Sequence, residues 1–252
     1  MKAFIKAYWK TLLFFAVVGW IGGWVSGLYL LESYPPEMQQ EMLAQGMTDM
    51  NMALTMAIQS ATYGLVLGTA GIWLGRKVGL WKDERHITKK PLLAALVISL
   101  MGGLALILPD LLIFGRYEPA LLDVYAAKPT IPYLLATVTY GAVIEEVMLR
   151  LFMMSLVAFV LHLLFERKRM EVSTAVLVVA NVISALLFAA GHLSANEMMY
   201  GLTPMIVFRC FLLNGVFALA FGWLYRKYGL RYAMIAHGGC HVVSKLIWLL
   251  FL

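Results

Sequence analysis

The sequence predicts an all-α, polytopic membrane protein of about seven transmembrane helices, with its N-terminus in the cytoplasm. Composition is the first observation behind this. Hydrophobic residues fill 62% of the 252 positions and charged residues 13%, about half the charge that a soluble domain spreads over its surface. Mean hydropathy is +0.81. The second is spacing: apolar stretches recur at 11–31, 52–75, 91–115, 131–165, 172–195, 205–225 and 232–252. Each can cross a hydrocarbon core of ~30 Å as a helix. Charge asymmetry is the third. Fifteen Lys and Arg residues fall in 1–10, 76–90, 166–171 and 226–231, against Arg116 and Lys128 alone in the alternate intervals 32–51, 116–130 and 196–204. Such alternation predicts a cytoplasmic N-terminus, an external C-terminus and an odd number of spans. The formal charge of +6 is thereby read as a topology signal, not as a nucleic-acid surface.

Helices are the required conformation, because lipid satisfies no backbone N–H or C=O and no barrel-like alternation is present. The first apolar stretch follows a basic start, as in a signal peptide. It runs about 20 residues to Leu31 without a small-x-small cleavage site, so an uncleaved first helix is expected. Gly19, Gly23 and Gly27 form one face of that helix, and Gly64, Gly68, Gly71 and Gly75 line the second. Such faces let backbones approach closely. The third stretch carries Pro109 and Asp110. The fourth, 131–165, is too long for one span, at ~50 Å against ~30 Å. A helical hairpin of helices four and five that protrudes by ~15–20 Å resolves this and leaves irregular backbone within 193–204. The expected organisation is residues 1–130 as three N-terminal helices and 131–252 as a C-terminal helical core, one integral membrane domain overall. Cys210 and Cys240 both lie in apolar stretches and offer neither a disulfide framework nor a paired metal-ligand spacing.

Six charges remain inside the spans: Arg150, Arg209 and Lys245 against Asp110, Glu145 and Glu146. Charges at membrane depth are expensive, and they are paired or functional. In Glu145-Glu146-Val-Met-Leu-Arg150, Glu146 and Arg150 stand at i and i+4 and can pair on one face. Glu145 lies roughly 100° further round an α-helix, free to face the bundle. All three could equally form one structural network. The turn between helices four and five centres near 168–169, which sets Glu145 and His192 equally far from it and at one height. A carboxylate and an imidazole so placed can share a water and take its proton. His237 and His241, at i and i+4, can aim at one point as metal ligands or as oxyanion donors. Lys245, one turn on, can snorkel outward and stays outside the site. Arg209, Asn214 and Asp110 are read as packing or counter-charge. His86 and His162 carry no role.

The pattern E-E-x-x-x-R at 145–150, F-x-x-x-H at Phe188–His192 and a late pair at His237–His241 resembles the CPBP intramembrane peptidases, the CAAX prenyl endopeptidase and bacteriocin-processing (Abi) family. The likeness covers about 131–245 and includes Phe211–Gly215 and Gly222-Trp-Leu-Tyr. The resemblance implies a glutamate-type membrane endopeptidase in which Glu145 and His192 activate a water. His237, with the residue at 241, stabilises the oxyanion, and Glu146 and Arg150 give structural support. His241 stands where the family often has Asn. Since His can ligate metal and Asn does so poorly, a zinc site of Glu145, His192, His237 and His241 is the alternative to a cofactor-free one. The expected partners are the lipid bilayer and a membrane-associated protein or peptide substrate, with no nucleic acid. The expected location is an integral multi-pass protein of a bacterial plasma membrane. Two other readings stay open: a non-catalytic membrane binding or immunity protein of the same fold, and a proton-coupled transporter using the same Glu/His relay. Transporters of the common kind show internal repeats, and none is visible here.

Overall fold

The computed structural model describes residues 2–30, 33–83 and 86–252. Leu31, at the end of the first expected span, and Arg85, one of the loop cations, lie outside the described residues. All regular elements among the described residues are helical. They are α1 (Lys2–Leu30), α2 (Pro36–Ala44), α3 (Asp49–Lys77), α4 (Lys89–Ala105), α5 (Leu108–Leu112) and α6 (Ala120–Asp123). There follow the composite helix α7 (Ile131–Phe165), then α8 (Thr174–Gly191) and α9 (Leu193–Tyr200). The chain closes with α10 (Pro204–Tyr228) and α11 (Leu230–Phe251).

Six helices are long and apolar enough to cross a membrane: Lys2–Leu30, Lys89–Arg116, Ile131–Phe165, Thr174–Tyr200, Pro204–Tyr228 and Leu230–Phe251. They fit an integral multi-pass membrane protein. α3, the second of the seven expected spans, is as long as α1 at 29 residues but falls outside those six. Its inward face is made of small residues: Ala53, Ala57, Ser60, Gly64, Gly68 and Gly71 are buried there. They bring α3 against α1 at backbone distance. A methyl group placed on Gly23 would stand 2.1 Å from the Met56 carbonyl oxygen, and one on Gly64 would stand 2.6 Å from that of Phe15. The outer surface is apolar, with Leu93, Val97, Leu100 and Met101 of α4 all exposed.

Helix starts follow local chemistry. The Thr130 hydroxyl accepts from Tyr133 N, that of Ser173 from Val176 N and that of Thr203 from Ile206 N, satisfying donors that the first turn leaves unpaired. Pro132 and Pro204 occupy first-turn positions, where a missing N–H does no harm. Gly229, at φ +104°, makes the break between α10 and α11 in a region that favours glycine.

α7 departs from the α-helix expected at 145–150. Its hydrogen bonds run in the wider i→i+5 pattern over Thr137–Glu145 and again over Val147–Met154, a rare pattern that is frequent at functional sites. A wider turn takes up more residues, so α7 is shorter than its 35 residues would make at ~1.5 Å each. The expected α7–α8 turn falls at 166–173. The irregular backbone expected over 193–204 is confined to 201–203, because α9 occupies Leu193–Tyr200 and Gly201, at φ +74°, ends it.

Candidate active site

Glu145 and Glu146, adjacent in sequence where the two wide-turn stretches of α7 meet, both approach one imidazole. His237 Nδ1 donates to Glu146 Oε1 at 2.9 Å, and His237 Nε2 stands 3.9 Å from Glu145 Oε2. The other oxygen of Glu146, Oε2, lies 3.4 Å from Arg150 Nε. Glu146 and Arg150 are fully buried and His237 is 5% exposed. Arg150 Nη1 and Nη2 find no hydrogen-bond acceptor. Instead the guanidinium lies over the rings of Phe188 and Phe221, 4.5 and 5.5 Å from their centroids. Aromatic faces attract a cation and replace part of its lost hydration. Phe221 also stacks on His237, with centroids 4.8 Å apart and planes 17° from parallel.

His192 follows the last residue of α8. Its Nδ1 lies 2.8 Å from the Phe188 carbonyl oxygen, which can only accept, so Nδ1 carries a proton; in the neutral ring Nε2 then keeps its lone pair. The Phe188 ring packs on the His192 ring at 4.6 Å and borders His237 at 5.8 Å. On α11 the rings of His237 and His241 lie 5.1 Å apart. His241 Nδ1 is buried without a partner. Gly141 of α7 faces His241: a methyl group there would touch Nε2 at 3.4 Å, an ordinary contact distance.

A cavity of about 50 Å³ lies beside these groups, lined by His192, His237, His241, Asn214 and Cys240 with apolar walls from Phe188 and Phe221, and Glu145 reaches it only through His237. That is room for water at a polar site, where roughly 10–15 Å³ per molecule suffices. Gly102 and Leu106, in the segment that follows Lys89, complete the wall.

The expected Glu146–Arg150 pair is present, but Glu146 does a second thing by fixing His237. The imidazole that meets Glu145 is that of His237, whereas His192 commits its Nδ1 to Phe188. The expected balance of charges is met in two pairs only. Arg209 Nε and Nη2 donate to the two oxygens of Asp110 at 2.5 Å each. Lys245, left outside the site from the sequence, lies over the rings of Tyr133 and Trp248 at 4.7 and 5.6 Å. Phe221 carried no signal in the sequence. Asn196 had a weak one in its four-residue spacing from His192. Among the described residues, no group of three or more His, Cys, Asp or Glu side chains is placed to hold a metal ion. Glu145, His192, His237 and His241 are therefore not assembled as a zinc shell.

An all-helical membrane protein with a buried Glu/His/Arg set beside a small cavity is the class that fold and site define. Residues 127–243 match the family model described as type II CAAX prenyl endopeptidase Rce1-like, and this stretch of the chain is a domain of that family. No curated protein and no solved structure matches the chain. The matched stretch contains Glu145, Glu146, Arg150, His192, His237 and His241, and leaves Asp110 outside.

Proposed function

We propose that the protein is an intramembrane endopeptidase of the glutamate type, hydrolysing a peptide bond in a membrane-associated protein or peptide. The observation that carries this is the meeting of Glu145 and Glu146 at His237, beside a cavity that His192 and His241 also line. Family membership supports the same reaction class. Glu145, the more exposed of the two carboxylates at 22% against 0% for Glu146, is the base. One water can bridge the 3.9 Å between Glu145 and His237. Glu145 takes its proton and His192 Nε2, with its free lone pair, accepts the other hydrogen bond. The oxygen attacks the carbonyl carbon, and His237 and His241 face the oxyanion that forms. Donation from His237 Nε2 requires a proton on both ring nitrogens. Two carboxylates, one guanidinium and one imidazolium then form a neutral buried set, the least costly arrangement of such charges.

The proposed topology has seven spans including α3, with the N-terminus cytoplasmic and the C-terminus external, in a bacterial plasma membrane. Its parts are three N-terminal helices over 1–130 and a catalytic core over 131–252. Small polar and glycine residues are tolerated in a span that packs against another helix, as the inner face of α3 does against α1. Cysteines introduced at 76–90 should be labelled only from the cytoplasmic side, and those at 33–48 only from outside. The activity test is hydrolysis of membrane-anchored peptides, with and without lipid chains, by the full-length protein in vesicles, read by mass spectrometry. Glu145→Gln should abolish cleavage and trap substrate. Unchanged cleavage by Glu145→Gln would remove Glu145 from the chemistry. A protein whose cellular phenotype survives Glu145→Gln but not Glu145→Ala would be a binding protein of this fold.

A further inference from the structure

The mechanism uses the His192 imidazole but leaves three polar residues behind it without a task, Asp110 and Asn196 buried and Arg209 partly so. His192 lies between α8 and α9 at φ −89° and ψ −6°, a conformation typical of turn residues and of many active-site residues. Its main-chain carbonyl accepts twice from Asn196, from the backbone N at 3.1 Å and from side-chain Nδ2 at 2.7 Å. Asn196 Oδ1 in turn accepts from Arg209 Nη1 at 3.5 Å. Arg209 places its other two nitrogens on Asp110, which also accepts from the Tyr125 hydroxyl at 3.5 Å. The amide orientation of Asn196 follows from these partners, since a flipped amide would face N–H to guanidinium and oxygen to carbonyl.

A counter-charge pair needs only the fork between Arg209 and Asp110. It does not account for a third nitrogen turned to Asn196, nor for an Asn196 donor on the carbonyl of His192 itself. Accepting the catalytic reading above, we infer that Asp110, Arg209 and Asn196 are positioning residues that set the depth and direction of the His192 imidazole. The ring is held from α8 by Phe188 O, and the backbone from α9 by Asn196. Arg209 fixes Asn196, and Asp110 fixes Arg209. Asp110 sits on α5, outside the stretch that matches the family, so the N-terminal helices contribute to the catalytic unit. With the relay slack, the backbone at 192 is free to relax and the Nδ1 bond to Phe188 competes with solvent.

The test uses full-length protein in lipid nanodiscs with ring-¹⁵N histidine, the His192 signal being assigned by its loss in His192→Gln. Wild-type protein should show His192 as a single Nδ1–H tautomer. Asn196→Ala and Asp110→Asn should give a mixture of both tautomers. On a peptide that wild type cleaves, kcat should fall about 10–10²-fold, the size expected for slight misplacement, with KM little changed. Arg209→Lys keeps the charge, loses the fork and should fall between. A folded Asn196→Ala protein with one tautomer and wild-type kcat would overturn the relay. Should Asp110→Asn fail to fold, Asn196→Ala decides alone, because it leaves Asp110 and Arg209 paired. Should wild type cleave nothing, the proposed reaction fails, while the tautomer of His192 still decides whether the relay exists.

Discussion

Glu146 and His237 are joined at 2.9 Å across 91 residues of sequence, and the same carboxylate reaches Arg150. Glu146 therefore ties α7 to α11 and orients the imidazole that faces Glu145. Support and chemistry share one side chain, and this changes what substitutions there should do.

Arg150→Ala leaves Glu145, Glu146 and His237 one positive charge short and Glu146 Oε2 without its cation, at a cost of about 3–5 kcal/mol. It also removes the cation from the Phe188 and Phe221 rings. The expected result is a sharp loss of folded protein, measured by yield and thermal unfolding in detergent. Normal amounts of stable, inactive protein would move Arg150 into the reaction.

Glu145→Ala and His192→Ala should each reduce hydrolysis by ~10²–10⁴-fold, the size of a lost acid–base group, while leaving the melting temperature near that of wild type. Glu146→Gln should lower both quantities, because it weakens the bonds to His237 and Arg150 together. Equal stability of Glu146→Gln and wild type would contradict its double attachment.

His241→Ala should cost ~10²–10³-fold if the ring donates to the oxyanion, and His241→Asn should recover much of that activity. Elemental analysis of active protein checks the rival reading. Stoichiometric zinc, with activity lost to a chelator and restored by the metal, would make His241 a ligand and require the four residues to close together on binding.

Gly23→Ala should separate α1 from α3, since its new methyl group would overlap the Met56 carbonyl oxygen at 2.1 Å. Overpacking of this kind costs about 1–3 kcal/mol. Reduced thermal stability without a change in KM is the expected outcome. Wild-type stability would show that the two helices are able to part freely.

The α7–α8 turn should open in acid. Bonds from the Ser173 side chain and backbone hold the Glu166 carboxyl below its ordinary value of 4.5, and Ser173 N donates to Oε2 at 3.0 Å. A depressed carboxylate stabilises the folded turn above its unfolded pKa, and that contribution is lost as pH falls through the folded one. Hydrogen exchange at 166–173 should thus rise as pH drops below about 4.5, after correction for intrinsic rates. Glu166→Gln should abolish the dependence.

Much of this was legible in the sequence, because lipid leaves few choices. Apolar spacing located the long helices, and the four-residue interval identified Glu146 with Arg150. The turn at 166–173 followed from its cluster of cations. Three things were not legible. Hydropathy cannot tell α from π hydrogen bonding, so the convergence of Glu145 and Glu146 on His237 was invisible. Counting from a turn gives height but not rotation, so the approach of His237 to Glu145 has no counterpart in the spacing of the sequence. Asp110 and Arg209 are 99 residues apart, and no local rule links them.

The widened turns of α7 also decide which kinds of mutation the site can absorb. Adjacent residues on a regular α-helix point roughly 100° apart and somewhat less in a wider turn, so the phase of this helix decides how near each of Glu145 and Glu146 comes to His237. Deleting a single residue within 137–144 would let the segment revert to the narrower helix and turn one carboxylate away, although every side chain named here would still be present. A substitution in the same stretch keeps the phase. Relatives that vary freely in side chains at 137–144 should therefore keep its length, and length, more than residue identity, should distinguish working copies of this site from lapsed ones.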